Sequence, residues 1–159
     1  MSIRKELINK IICERLELFF KLSEKDFIVP GVEDAIEINR RTMELTGEAF
    51  GVRDENLLHS AFEAVYEYAQ LKNERNPEVL SFVLFVELIK KNPFLAGNKQ
   101  TAIVLCELML RLNGIQKEIS NDAYYRMAHA VAKGEIQDPY VLSEMAFRKI
   151  ALGIKFWKS

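Results

Sequence analysis

The stretch KNPFLAGNKQTA, residues 91–102, joins two long apolar segments of this sequence through a short turn. Pro93 and Gly97 interrupt helix formation, and a strongly helical composition begins at Asn98. The stretch therefore predicts a hairpin of two helices. The first N–H groups of a helix lack partners within it and carry partial positive charge, so they favour binding of an anion. Lys99 would add a mobile cation to such a site.

A purely structural interpretation of the same turn is simpler. Asn98 would cap the following helix, and Gly97 would only reverse the chain. Phe94 is apolar within a turn, so we expect it to anchor the turn in the core. Short motifs of this kind recur by chance, and the turn alone favours the structural interpretation.

The rest of the sequence also predicts helices, about seven in all, and it contains no alternating strand pattern of useful length. The fourth helix is apolar on nearly every face, which is typical of a helix buried inside a bundle. We therefore predict an all-α bundle in which the fourth and fifth helices form a central antiparallel hairpin. With their caps, the predicted helices span residues 2–22, 32–45, 54–71, 76–91, 98–112, 120–134 and 138–152.

Length and charge limit the classes of protein that remain. A chain of 159 residues favours one domain, 1–159, with the segments 1–22 and 138–159 as flanking helices. The 22 basic and 23 acidic residues nearly cancel, which argues against a nucleic-acid partner. No apolar run is long enough for a membrane span, and the charged first residues do not resemble a signal peptide. The distant Cys13 and Cys106 suggest neither a metal site nor a disulfide; we expect both to be buried, in a reducing cytoplasm.

The segment NPFLAGNKQTA resembles the signature of the Fic/Doc family, and in particular of its death-on-curing (Doc-like) branch. In words, that signature is His, any, Phe, any, Asp or Glu, Gly or Ala, Asn, Lys or Gly, Arg. The upstream segment VEDAIEINRRTMELTGEAFGVRDENLLHSAFEAV and the downstream segments LMLRLNGI and YRMAHAVAKGEI also resemble Doc-like proteins. The resemblance covers residues 27–136.

The resemblance implies a helical core whose central loop binds nucleotide phosphates, with ATP or another nucleotide and Mg²⁺ as ligands. Family members transfer AMP or a phosphoryl group to a protein hydroxyl, with the histidine as general base and the acidic residue organising Mg²⁺. A small antitoxin is the typical partner of Doc-like members. Phe94 fills the family's Phe position. The residues predicted to bind phosphate are Gly97, Asn98, Lys99 and Thr101.

The sequence departs from the signature at its three chemical positions. Asn92 replaces the histidine, Ala96 the acidic residue and Gln100 the arginine, and Ile103 stands where the Fic branch has a further arginine. Loss of a general base alone commonly lowers a rate by about 10²- to 10⁴-fold. We therefore predict a catalytically silent protein that retains an anion-binding site at the start of the fifth helix. We assign no catalytic residue or metal ligand. An active transferase with an altered mechanism and a purely helical protein-interaction module are the alternatives.

A second polar residue lies on an apolar helix face. Asn39 shares one face of the second helix with Val32, Ile36 and Met43. We favour a buried asparagine bonded to nearby backbone, and the alternative places it in a cavity beside Asn92.

For the remaining ionisable candidates, we favour structural roles over catalytic ones. We expect His59 and His129 to be packed or half-exposed side chains without a catalytic role. Glu107, inside the apolar fifth helix, either reaches the surface or pairs with Arg111 four residues on. The segment SIRKEL carries part of a family inhibitory motif, but a packing or partner-binding role for the first helix is favoured over inhibition by Glu6.

Overall fold

The computed structural model of the protein describes residues 3–14 and 27–148. These residues form seven α-helices and no strand, and the only β-type pairing among them is an isolated bridge between Val52 and Phe94. The predicted all-α architecture is confirmed. The predicted helical residues 15–22 and 149–152 lie outside the described residues. The helices are α1 (Ile3–Glu14), α2 (Val32–Thr46), α3 (Glu55–Leu71), α4 (Pro77–Lys91), α5 (Asn98–Leu112), α6 (Asn121–Ala132) and α7 (Pro139–Arg148).

Local signals fix the ends of these helices. The side chains of Asp54, Asn76 and Ser120 each accept a hydrogen bond from a backbone N–H in the first turn of the helix that follows. Such caps pair donors that a helix start otherwise leaves open. Gly47 ends α2 with φ 76°, in the left-handed region that glycine enters without steric cost. These predicted ends are confirmed.

Helices α4 and α5 pack against each other at the centre of the bundle, as predicted. Helices α3 and α7 pack on α4, helices α1 and α2 pack on α5, and α6 contacts both members of the hairpin. Every residue from 101 to 110 is buried, so α5 is enclosed over most of its length. Burying one Leu or Ile side chain contributes about 1.5–3 kcal/mol, and the hairpin contains many. This packing holds the turn between α4 and α5 in a fixed place.

Helix α1 lies on α5 through one face. Leu7, Ile8 and Ile11 are buried, whereas Cys13 is exposed because it lies on the opposite side of the helix. The expectation that both cysteines are buried is therefore correct for Cys106 and wrong for Cys13. None of the described helices combines the length and the apolar character that a membrane crossing requires.

Candidate functional site in the turn between α4 and α5

Asn92 closes helix α4 through its backbone. Its φ of 54° and ψ of 52° lie in the left-handed region, and its N–H donates to the Leu88 carbonyl at 3.1 Å. Asparagine and histidine are both enriched among non-glycine residues with this conformation. The Asn92 side chain is exposed and makes no hydrogen bond to any described residue. The residue at the histidine position thus satisfies the backbone and supplies no base.

Asn98 fastens the turn onto itself. Its Oδ1 accepts from the Phe94 N–H at 2.9 Å, and its Nδ2 donates to the Phe94 carbonyl at 3.0 Å. The Phe94 side chain is 1% exposed and belongs to the core. The N-cap residue of α5 is Gly97, with no side-chain cap, so the structural interpretation in which Asn98 caps the helix is wrong. Asn98 instead holds Phe94 at the entrance to the core.

Gly97 lies against helix α2 with no room for a side chain. Its φ is 74°, and a Cβ atom would lie 2.3 Å from Met43 Cε and 3.2 Å from Asn39 Nδ2. Glycine is therefore favoured both by the left-handed backbone and by the close approach of α2, where a Cβ atom would force the end of the Met43 side chain to move.

Asn39 ties the same side of the turn to α2. It is fully buried, and its Nδ2 donates to the Ala96 carbonyl at 2.9 Å and to Thr101 Oγ1 at 3.0 Å. Its Oδ1 is buried and has no hydrogen-bond partner among the described residues. The favoured interpretation, a buried asparagine bonded to backbone, describes these contacts. Thr101 is also fully buried, so in this structure its hydroxyl serves Asn39 rather than a ligand.

The loop at residues 47–54 forms hydrogen bonds with the other side of the turn. Arg53 donates from Nε to the Asn92 carbonyl at 2.8 Å and from Nη2 to the Lys91 carbonyl at 3.0 Å. The Arg53 N–H also donates to the Pro93 carbonyl at 2.7 Å, and the Leu95 N–H to the Gly51 carbonyl at 2.9 Å. A cation near a helix C-terminus is favourable, so the positive charge of Arg53 is the one signal that the sequence contains for this contact. Sequence reasoning missed Arg53 because it does not reveal which helix end the side chain reaches.

Open donors remain at the start of α5. The N–H groups of Asn98, Lys99 and Gln100 have no acceptor within residues 3–14 and 27–148, and all three residues are partly exposed. Lys99 has no ion-pair partner within the same ranges. The helix start therefore presents three amides and one ammonium group, which together favour an anion.

The turn does not suit a magnesium ion. Mg²⁺ prefers carboxylate oxygens, and the acidic position of the signature holds the methyl group of Ala96. Across the described part of the chain, no group of three or more His, Cys, Asp or Glu side chains could hold a metal. We therefore assign no step to a metal ion at this turn.

The other ionisable candidates lie away from the turn. His59 and His129 are exposed on α3 and α6, and Glu6 is exposed on α1. The partner of Glu107 is Arg4 of α1, with Nε and Oε2 3.1 Å apart, and not Arg111 as one alternative predicted. Burial strongly raises the pKa of the neighbouring Cys106 thiol.

The fold and this turn define an all-helical protein whose central hairpin exposes the start of its second helix. Residues 30–110, just over half of the chain, match the family model described as Fic/DOC family. The chain belongs to the Fic/DOC family. No curated protein matches it. The family prediction is confirmed, and the match ends before the downstream segment YRMAHAVAKGEI.

Proposed function

We propose that this chain is a Doc-like member of the Fic/DOC family that has lost transferase chemistry and keeps an anion-binding helix start. One observation carries the proposal. The positions of the family's base, carboxylate and guanidinium hold Asn92, Ala96 and Gln100, while the hydrogen bonds that shape the turn are in place.

Within the described part of the chain, the basic side chains beside Asn92 do not supply the missing base. An amide such as that of Asn92 does not take a proton near neutral pH. Lys91 Nζ lies 3.2 Å from Glu87 Oε2 and donates to Ser60 Oγ at 3.0 Å. The Arg53 guanidinium is bound to backbone carbonyls. The basic side chains beside Asn92 are therefore engaged, and both are cations rather than proton acceptors.

Binding is the activity that the remaining groups support. The ligand we propose is a phosphate-bearing molecule, such as ATP or another nucleotide, held by the α5 amides and Lys99 without Mg²⁺. The buried Thr101 is left out of this site. For a Doc-like member, a small antitoxin-like protein in the cytoplasm is the partner that suits a silent scaffold, and this assignment rests on the family resemblance.

Restoring the three lost groups tests the scaffold and the silence together. The wild-type protein should transfer no label from α- or γ-labelled ATP to proteins of a lysate. The variant Asn92→His/Ala96→Asp/Gln100→Arg should transfer label in the presence of Mg²⁺. Adding Asn98→Ala should abolish the acquired activity, because it releases Phe94 from the turn. Transfer by the wild-type protein would refute the silence, and an inert but folded triple variant would refute the retained scaffold.

Thermal stabilisation by nucleotides tests the anion site separately. A ligand that binds only the folded state stabilises it by RT ln(1 + [L]/Kd). We expect ATP, ADP and AMP at millimolar concentration to raise Tm equally with and without Mg²⁺, and Lys99→Gln to weaken the effect. Lys133→Gln, on an exposed residue after α6, is the matched control. The absence of any shift at millimolar nucleotide would contradict the proposal.

A further inference from the structure

A cavity opens beside the turn, where α1, α2, α5 and α6 meet. It has a volume of about 310 Å³. Its wall is mostly apolar, with neutral polar groups; among the described residues that line it, Arg4 is the one cation and none is acidic. We refer to it as the amphiphilic cavity. Its lining residues are Arg4, Leu7, Thr42, Leu45, Thr46, Gln100, Ile103, Val104, Asn121 and Tyr125.

The Arg4 guanidinium has N–H donors that form no hydrogen bond with the described residues. A guanidinium carries five N–H donors. The Arg4 side chain is only 11% exposed, and its Nη2 makes one long hydrogen bond of 3.5 Å to the Ile119 carbonyl. Its Nε lies 3.1 Å from Glu107 Oε2, but neither atom forms a hydrogen bond with good geometry. Within the described part of the chain, the buried charge is therefore paired while most of its hydrogen-bonding capacity is unused.

The carboxylate of Glu107 does not line the amphiphilic cavity. Glu107 lines a different cavity of about 260 Å³, together with Arg111, and Arg4 borders both. Among the described residues, Arg4 is thus the one charged side chain in the wall of the amphiphilic cavity, and its ion-pair partner Glu107 lies in the wall of the neighbouring cavity. A planar guanidinium in such a wall can bind a carboxylate through two parallel hydrogen bonds.

We propose that the amphiphilic cavity binds a small organic carboxylate, with its carboxylate on Arg4 and its apolar body against Leu7, Ile103 and the Tyr125 ring. A volume near the lower end of the range for ligand pockets suits a small ligand rather than a whole nucleotide. Since Glu107 already pairs with the charge of Arg4, the unused N–H donors of the guanidinium are what would hold the carboxylate. The proposal goes beyond the anion site at the start of α5, since it uses a different cation and a different ligand class.

Calorimetric titration with decanoate tests this assignment. The wild-type protein should bind one decanoate, and neutral decanol should bind at least tenfold more weakly, since a hydrogen bond to a charged group contributes that much or more. Arg4→Gln/Glu107→Gln removes both charges together and should weaken decanoate binding at least tenfold. Arg111→Gln, in the neighbouring cavity only, should leave it unchanged. Lys99→Gln should also leave it unchanged, which separates this cavity from the nucleotide site.

A surface substitution keeps the test valid if the double variant does not fold. Leu45 is 60% exposed at the rim of the amphiphilic cavity, so Leu45→Asp should fold. Its negative charge should repel the carboxylate and lower the affinity for decanoate at least tenfold. The proposal is overturned by no binding at millimolar decanoate, by equal binding of decanol, or by wild-type affinity in Leu45→Asp. It is also overturned if Arg111→Gln causes the loss instead.

Discussion

Replacing Gly97 with alanine tests how the turn packs against α2. The residue has φ 74°, and a Cβ atom there would lie 2.3 Å from Met43 Cε. Gly47 provides a matched control, because its φ is 76° and nothing lies within 4 Å of the position of a Cβ atom. Both substitutions impose the same backbone conformation on alanine, and only one of them introduces a clash.

The two contributions to the loss of stability can be separated. A left-handed backbone costs a non-glycine residue about 1–2 kcal/mol, and overpacking of a core commonly costs about 1–3 kcal/mol. Gly47→Ala should lower the free energy of unfolding by about 1–2 kcal/mol, and Gly97→Ala by about 2–5 kcal/mol. The effect of alanine on the unfolded chain is common to both variants and cancels in the difference.

Urea denaturation followed by far-UV circular dichroism gives the required free energies. In a Met43→Ala background the clash with Met43 is absent and the 3.2 Å contact with Asn39 Nδ2 remains, so most of the extra cost of Gly97→Ala over Gly47→Ala should disappear. This non-additivity identifies Met43 as the source of the packing cost. Equal losses for Gly97→Ala and Gly47→Ala in the wild-type background would show that α2 does not press on the turn, and the described geometry would be wrong.

Four further predictions concern groups around the hairpin. Arg4→Gln alone should lower the free energy of unfolding by about 3–5 kcal/mol because it leaves the buried Glu107 unpaired, and Arg4→Gln/Glu107→Gln should cost less in the same urea assay. In the native protein a disulfide reagent should modify the exposed Cys13 and spare Cys106; modification of two thiols would contradict the described burial. Burial raises the pKa of the Cys106 thiol, so only the unfolded state loses this proton above about pH 8.5. Stability should therefore fall by up to about 1.4 kcal/mol per pH unit between about pH 8.5 and about pH 10, where the buried Tyr124, whose pKa is also raised, does not yet contribute. A Cys106→Ala variant should lose the dependence in this window. Asn98→Ala should cost about 1–3 kcal/mol, and Asn98→Asp, which retains the acceptor for the Phe94 N–H, should cost less.

The sequence predicted the helices well because their ends depend on neighbouring residues. A cap such as Asp54 or Ser120 acts within one turn of its own position, so its role is visible in a short segment. The pairing of Glu107 with Arg4 joins residues far apart in the chain, and local spacing could suggest only Arg111 as a partner. The exposure of Cys13 likewise depends on which face of α1 meets α5.

The candidate site was predicted only in part, because several of its contacts also join residues far apart in the chain. The signature identified Asn92, Ala96 and Gln100 as the changed positions, and it identified Gly97 as the turning point. It did not reveal that Asn98 bonds back to Phe94, because a cap and a loop brace require the same residue type. Nor did it reveal the roles of Arg53 or Arg4, whose side chains reach the turn and the amphiphilic cavity from other segments.

Shape and reactivity reside in separate residues of this turn. Asn39, Arg53 and Asn98 hold its backbone, whereas the side chains at positions 92, 96 and 100 form no hydrogen bond with any described residue. A substitution at position 96 or 100 therefore removes no side-chain hydrogen bond that supports the fold, whereas position 92 also favours residues that tolerate its left-handed backbone, such as Asn or His. Under the proposed function, the reactive groups could be replaced one at a time while the architecture around them persisted, and restoring them would take few substitutions.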